Sequence, residues 1–181
     1  MALTKLTLAG IGGQGSILAG TILGNAAVTY GGGYATQTQA YSSELRGGFA
    51  ATWVIFSDET IAYPRVVVTD ILVAQAQDSI ERFAKTLKKG GILIADSDMV
   101  HTMPEIDATQ YVIPATSIAR NTFSAPIVAN IIMLGALTKI APVAERKCVE
   151  DAIAATVPSS KVTLNLEAFA AGFDSVAPYV K

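Results

Sequence analysis

The chain has 181 residues, 51% hydrophobic and only 15% charged, with a formal net charge of −2. That length suffices for one domain with a real core, and a charge content below the typical quarter or so points to surface covered by partners or to a large core. No basic cluster exceeds Lys88-Lys89, which argues against nucleic-acid binding, and a single cysteine (Cys148) with a single histidine (His101) cannot supply an iron–sulfur, zinc or disulfide framework.

The opening "MALTKLTLAG" lacks a secretory pattern, and the longest apolar stretches, 17–28 and 125–137, are shorter than the ~20 residues of a membrane span. The expected compartment is a reducing cytoplasm, with no membrane partner. "LTLAG" reads as a first strand entering a glycine turn. Residues 16–29 read as a helix without charge on any side, which predicts burial all round. Its small residues Ser16, Gly20, Gly24 and Ala27 line one side, where another backbone can approach, and 31–33 (GGG) end it.

"YATQTQ" reads as a second strand, with Gln37 and Gln39 on one face and Thr36 and Thr38 on the other. "FAATWVIFSD" reads as a third. "DILVAQ" and "GILIADSD" are short, continuous apolar runs, the pattern of parallel strands buried on both faces. Between them "DSIERFAKTLKKGG" carries Ile80, Phe83, Ala84 and Leu87 at helical spacing, completing a βαβ unit. "QYVIPA" is a further strand, 125–140 a second uncharged helix, 143–157 an amphipathic one, and 166–171 a short terminal helix ending near Gly172. The sum is one α/β domain over residues 1–181: three layers, a mainly parallel sheet with helices on both faces, Rossmann-like.

The loop "GIGGQG", Gly10 to Gly15, satisfies G-x-G-x-x-G between a strand and a helix. Its glycines allow a tight turn, and the helix start can hold an anion. A dinucleotide site also needs an acid about 20 residues on for the ribose, and "YATQTQ" has none. The alternatives for the loop are a purely structural turn, some other phosphate-bearing ligand and, least favoured for want of that acid, NAD(P). A second feature follows in "QTQAYSSELRGG": after an uncharged run from Leu6 to Ser43, Glu44 and Arg46 arrive together, followed by Gly47 and Gly48. The pair is either a solvated loop pair or a clamp at an interface, with the glycines letting the chain turn sharply. Asp96 and Asp98 end a strand, where a metal, a helix cap and a solvated turn are the alternatives, the last two favoured over the metal. His101 reads as a surface histidine and Cys148 as a small core residue.

Taken in order, "GIGGQG", "QTQAYSSELRGG" and "SDETIAYP" resemble the gamma subunit, or gamma domain, of the 2-oxoacid:ferredoxin (acceptor) oxidoreductases. "DILVAQ…GGILIADSD", "NIIMLGAL" and "NLEAFAAGF" extend the resemblance over almost the whole chain. It implies a non-catalytic part of a complex that oxidatively decarboxylates a 2-oxoacid with coenzyme A and reduces ferredoxin. Thiamine diphosphate and magnesium would sit in alpha and beta subunits and iron–sulfur clusters elsewhere, including a ferredoxin-like delta subunit. This chain alone would bind no cofactor, and it has no GDG…NN thiamine motif. On the same analogy Gly10, Gly12, Gly13, Gln14 and Gly15 would contact coenzyme A or a partner loop. Gln37, Gln39, Glu44, Arg46, Gly47 and Gly48 would form an interface or ligand edge, and a homodimer contact is open as well. "QTQAYSSELRGG" looks nearest to the 2-oxoglutarate type, in which Gly-Pro often replaces Ser42-Ser43. The competing readings are a stand-alone nucleotide-binding protein using the glycine loop and a structural homo-oligomer.

Overall fold

The computed structural model describes residues 3–42 and 48–178. Its strands are β1 (Thr4–Ile11), β2 (Tyr34–Tyr41), β3 (Phe49–Ser57), β4 (Thr69–Ala74), β5 (Leu87–Asp96), β6 (Ala108–Ile113) and the short β7 (Ala177–Pro178). They form one sheet in the order β2-β3-β1-β4-β5-β6-β7. β1, β4, β5 and β6 run parallel. β3 is antiparallel to both β1 and β2, and β7 is antiparallel to β6. The sheet is thus parallel at its centre and mixed at its edges.

Burial on both faces explains the apolar runs. In β4, Ile71 and Val73 join the larger core with Leu8, Val54 and Ile94, while Leu72 and Ala74 join the smaller one with Leu93 and Ala95. The larger core lies under α1 (Ser16–Asn25), α3 (Ala115–Asn121), α4 (Ala129–Ile140), α5 (Arg146–Thr156) and α6 (Val162–Asp174). The smaller one lies under α2 (Gln77–Phe83) and the chain around Val100. Helices cover both faces, as a layered α/β domain requires.

α4 is the innermost helix, with every residue from Asn130 to Thr138 buried. It crosses α6 backbone to backbone. A Cβ on Gly135 would collide with the carbonyl of Phe169, and one on Gly172 with the carbonyl of Ile132. Gly172 therefore lies inside α6, which runs on to Asp174 and is longer than the sequence pattern predicts. α5 starts at Arg146 rather than 143, and 126–128 form a 3-10 turn before α4.

Two expectations are corrected. The helix after β4 stops at Phe83, and a 3-10 turn leads directly into β5 at Leu87. Lys88 reaches back from β5 to Asp70 at 2.6 Å, and the β4–β5 register shifts between Thr69 and Ile71. Strand pairing overrides the helical periodicity there. The uncharged first helix is also not buried all round within this chain. Ala19, Ile22 and Leu23 are buried, but Leu18 is exposed, as is Val28 in the π-turn Ala26–Tyr30 that continues it. Gly20 packs tightly, since a Cβ there would lie 2.6 Å from Cγ2 of Thr52, whereas Gly24 has no neighbour within 4 Å of such an atom. The sheet covers one side of this helix, and none of the described residues covers the outer side near Gly24.

Candidate functional site

The β2–β3 hairpin folds β3 back against β1, pairing Gly10 with Ala50 and Ile11 with Phe49. That register carries the end of the second motif to the glycine loop: the Gly12 amide donates to the Gly48 carbonyl at 2.7 Å. The two sequence features thus meet at one end of the sheet. Glu44, Arg46 and Gly47 lie outside the described residues.

The loop closes mainly on itself. Gly13 (φ 94°) and Gly15 (φ 75°) take conformations that favour glycine. Gln14 folds back, its Oε1 accepting from the Ile11 amide at 2.8 Å and its Nε2 donating to the Gln75 carbonyl at 3.0 Å. Gln75, 3% exposed, accepts at Oε1 from the Ser16 hydroxyl at 2.6 Å. A Cβ on Gly10 would lie 2.5 Å from Oε1 of Gln14, so Gly10 is what lets Gln14 fold in. Asn130 of α4 donates to the Gly15 carbonyl at 3.2 Å. The first main-chain bond of α1 runs from Ala19 to Gly15, and no side chain caps the helix. Its first amides therefore remain outside the helical ladder and face the carboxyl ends of the strands.

β1 leads to α1 on one face of the sheet and β4 leads to α2 on the other. The crevice between these neighbouring strands is the switch point at which α/β sheets bind ligands. A cleft of about 270 Å³ opens there, lined by Gly13, Gln14, Gln75, Asp96, Met99, Thr116, Arg120, Pro126, Ile127 and Ala129. Arg120 is exposed, and its guanidinium has no partner among the described residues. Ile127 is 68% exposed beside it. The cleft thus combines a free cation, an apolar wall and an uncapped helix start.

Asp96 and Asp98 cap α3. The Thr116 hydroxyl donates to Asp96 at 2.6 Å, and the Ser117 amide and hydroxyl donate to Asp98 at 2.6 and 2.8 Å. Burial is the main influence on the Asp96 carboxyl and pushes it above the usual aspartate value. The hydrogen bond from Thr116 opposes this, and the charge of Asp98 adds to it. Among the described residues no group of three His, Cys, Asp or Glu side chains comes together to hold a metal. With one cysteine in the chain, these residues do not fit an iron–sulfur cluster. His101 is exposed, and Cys148 packs partly buried against the larger core.

Gln37 turns inward. Its Nε2 donates to the Thr52 hydroxyl at 2.8 Å and the Ile17 carbonyl at 3.2 Å, bracing α1 on β3. Gln39, on the same face of β2, is exposed. The dinucleotide reading loses its ribose pocket for a topological reason. The strand beside β1 on that side is the antiparallel β3, not the strand that follows the glycine-loop helix. Arg120 escapes sequence reasoning because α3 is only seven residues long. The available signal is Pro114 just before it, with capping acids nearly twenty residues upstream.

The family described as pyruvate ferredoxin/flavodoxin oxidoreductase matches residues 5–175. The chain is 45% identical over 172 residues to 2-oxoglutarate synthase subunit KorC of Methanocaldococcus jannaschii, covering 94% of this chain and 92% of that one. It is 42% identical over 174 residues to the KorC subunit of Methanothermobacter marburgensis, covering 93% and 94%. Among solved structures it is similar to the keto/oxoacid ferredoxin oxidoreductase gamma subunit of Geobacter sulfurreducens. The TM-score there is 0.86 at 36% identity, covering 95% of this chain and 97% of that one.

Proposed function

Because the chain belongs to the pyruvate ferredoxin/flavodoxin oxidoreductase family, we propose that it is the gamma subunit of a 2-oxoglutarate:ferredoxin oxidoreductase. The complex converts 2-oxoglutarate and coenzyme A to succinyl-CoA and carbon dioxide and passes two electrons to ferredoxin. The observation that carries the substrate assignment is the 45% identity with a 2-oxoglutarate synthase subunit over nearly the full length of both chains. Thiamine diphosphate, magnesium and the iron–sulfur clusters belong to the alpha, beta and delta partners: this chain has one cysteine, and among its described residues no group of three His, Cys, Asp or Glu side chains gathers to hold a metal. The gamma subunit supports assembly and supplies part of the coenzyme A side of the site.

The switch-point cleft supports that second role chemically. A phosphate suits the Arg120 guanidinium and the uncapped start of α1. An apolar thiol-bearing arm suits the wall at Met99, Pro126 and Ile127. A cleft of about 270 Å³ takes only part of such a molecule, and the rest lies against partner subunits. The test is co-expression with the partner subunits, followed by 2-oxoacid-dependent reduction of ferredoxin. The assembled complex should require coenzyme A and prefer 2-oxoglutarate to pyruvate, and the isolated chain should turn over neither. Sustained turnover by the pure chain, or a preference for pyruvate, would contradict the assignment.

A further inference from the structure

β2 is an edge strand of eight residues, YATQTQAY, with no charge, no proline and no register shift against β3. Natural edges of this length are normally blunted by one of those devices. Its backbone polarity can be fixed from two contacts. Ser42 donates to the Phe49 carbonyl at 2.9 Å, and the Thr38 carbonyl accepts from Thr52 on β3 at 3.1 Å. The even-numbered residues therefore turn their backbone groups towards β3. Ala35, Gln37, Gln39 and Tyr41 turn theirs to the open edge. The side chains of these same four residues lie on the α1 face, where Gln37 bonds to Ile17 and Thr21.

Beside that edge is an unfilled groove of about 220 Å³ between α1 and β2, lined in part by Thr21, Gly24, Asn25, Val28 and Ala35. Tyr41, 67% exposed, projects from the other end of the same strand on the same face. A twofold axis perpendicular to the sheet preserves faces, and it pairs only residues of equal parity. Centred on Thr38, it sets Gln37 opposite Gln39 and Ala35 opposite Tyr41 of a second copy. Both pairs bring outward-facing backbone to outward-facing backbone, while Thr38 meets its own copy on the axis as a non-hydrogen-bonded pair. Tyr41 of each copy comes to lie beside Ala35 of the other, against the groove at Gly24. Small residue meets large and amide meets amide, and none of the paired β2 residues is charged.

We propose that β2 is the dimerisation edge of this subunit, pairing antiparallel with β2 of a second copy about Thr38, with Tyr41 of each copy filling the Gly24 groove of the other. The contact is isologous and closed, as a twofold dimer requires. It makes one continuous sheet across two chains and accounts for the uncharged surface of the first helix. It stands independently of the cleft and of the substrate assignment.

The test is a cysteine placed on the axis, in the full chain with Cys148→Ser. Directly opposed residues of a non-hydrogen-bonded pair have Cα atoms about 4.5 Å apart, within disulfide reach of roughly 4.4–6.8 Å. Thr38→Cys should therefore link two copies under mild oxidation. Thr36→Cys should not, because its twofold mate lies four residues along the strand, about 13 Å away. In sedimentation the parent chain should be a dimer at micromolar concentration. Gln39→Pro, which removes an outward donor, and Gly24→Leu, which fills the groove, should both be folded monomers that melt cooperatively below the parent, their melting temperatures no longer depending on protein concentration as a dimer's does. A monomeric parent, equal linking at 36 and 38, or a dimer that survives both substitutions overturns the proposal. If either substitution prevents folding, the 38-against-36 comparison decides alone, both in the pure chain and in the assembled complex. An edge used instead by a strand of another subunit would leave Thr38→Cys unlinked there.

Discussion

The amide of Gly12 donates to the carbonyl of Gly48 at 2.7 Å, joining residues from separate motifs across the β1–β3 pairing. The contact uses backbone atoms only. A Cβ on Gly12 would meet Gly48 at 3.5 Å, an ordinary contact, whereas Gly13 has open space but a φ of 94°. The conformation of Gly13, and not its surroundings, requires glycine.

Gly12→Ala should therefore change stability by less than about 0.5 kcal/mol, as unstrained substitutions away from special features do. Gly13→Ala should cost about 1–2 kcal/mol, through left-handed backbone strain. Urea unfolding of the two variants measures the difference. Equal losses would mean that the loop relaxes out of its positive-φ turn.

The α4–α6 crossing predicts a larger effect. Gly135→Ala and Gly172→Ala drive a methyl into main-chain carbonyls that cannot move aside like a side chain. Each should cost about 3 kcal/mol or more, at or beyond the upper end of overpacking effects. Gly24→Ala should instead be neutral or stabilising by up to about 1 kcal/mol, as alanine is in an unobstructed helix position. Thermal melting that ranks Gly24→Ala with the other two would remove the case for an open groove.

Asp96 gives a pH dependence of defined sign. Its carboxyl is raised in the folded chain, chiefly by burial, so the folded state holds that proton more tightly than the unfolded one. The contribution of Asp96 therefore becomes less favourable as pH rises from about 3.8 to the raised folded value, and is constant above it. In Asp96→Asn the side-chain oxygen still accepts from the Asp98 amide, and the new NH2 donates to the Thr116 hydroxyl. The parent should gain stability relative to this variant as pH falls through that window. A difference that stays flat between pH 7 and the acid limit would show that Asp96 titrates normally.

Arg120 is the prediction most directly tied to function. In the assembled complex Arg120→Ala should raise KM for coenzyme A about tenfold, equivalent to about 1.4 kcal/mol for a lost charge-assisted contact. With kcat unaltered, it would have removed binding common to the ground and transition states. Arg120 is exposed, so the melting temperature of the subunit should not change. Arg120→Lys should recover part of the affinity, as a point charge without the paired geometry. A normal KM for coenzyme A in Arg120→Ala would separate the cleft from the coenzyme A side.

The sequence by itself determined the layered α/β class, the strands β1 to β6 and the uncharged character of α1 and α4. These follow from local periodicity: an apolar run buried on both faces reads the same wherever its strand sits in the sheet. It also exposed the missing ribose acid and the lack of thiolates, because those are matters of residue inventory. Only the tertiary structure decided that β3 enters the sheet between β1 and β2, since strand order depends on which edges pair and not on any single segment. That insertion brings Gly48 to Gly12 and leaves β2 as a free edge. It likewise decided that Gln14 and Gln37 turn inward, that Lys88 belongs to a strand because it reaches Asp70, and that Gly20 is packed while Gly24 is open. Arg120 became visible as a site residue only when α3 was set beside the glycine loop, more than 100 residues away in the chain. Local propensity is a property of neighbours along the chain, whereas a cleft, an edge and a backbone crossing are properties of neighbours in space.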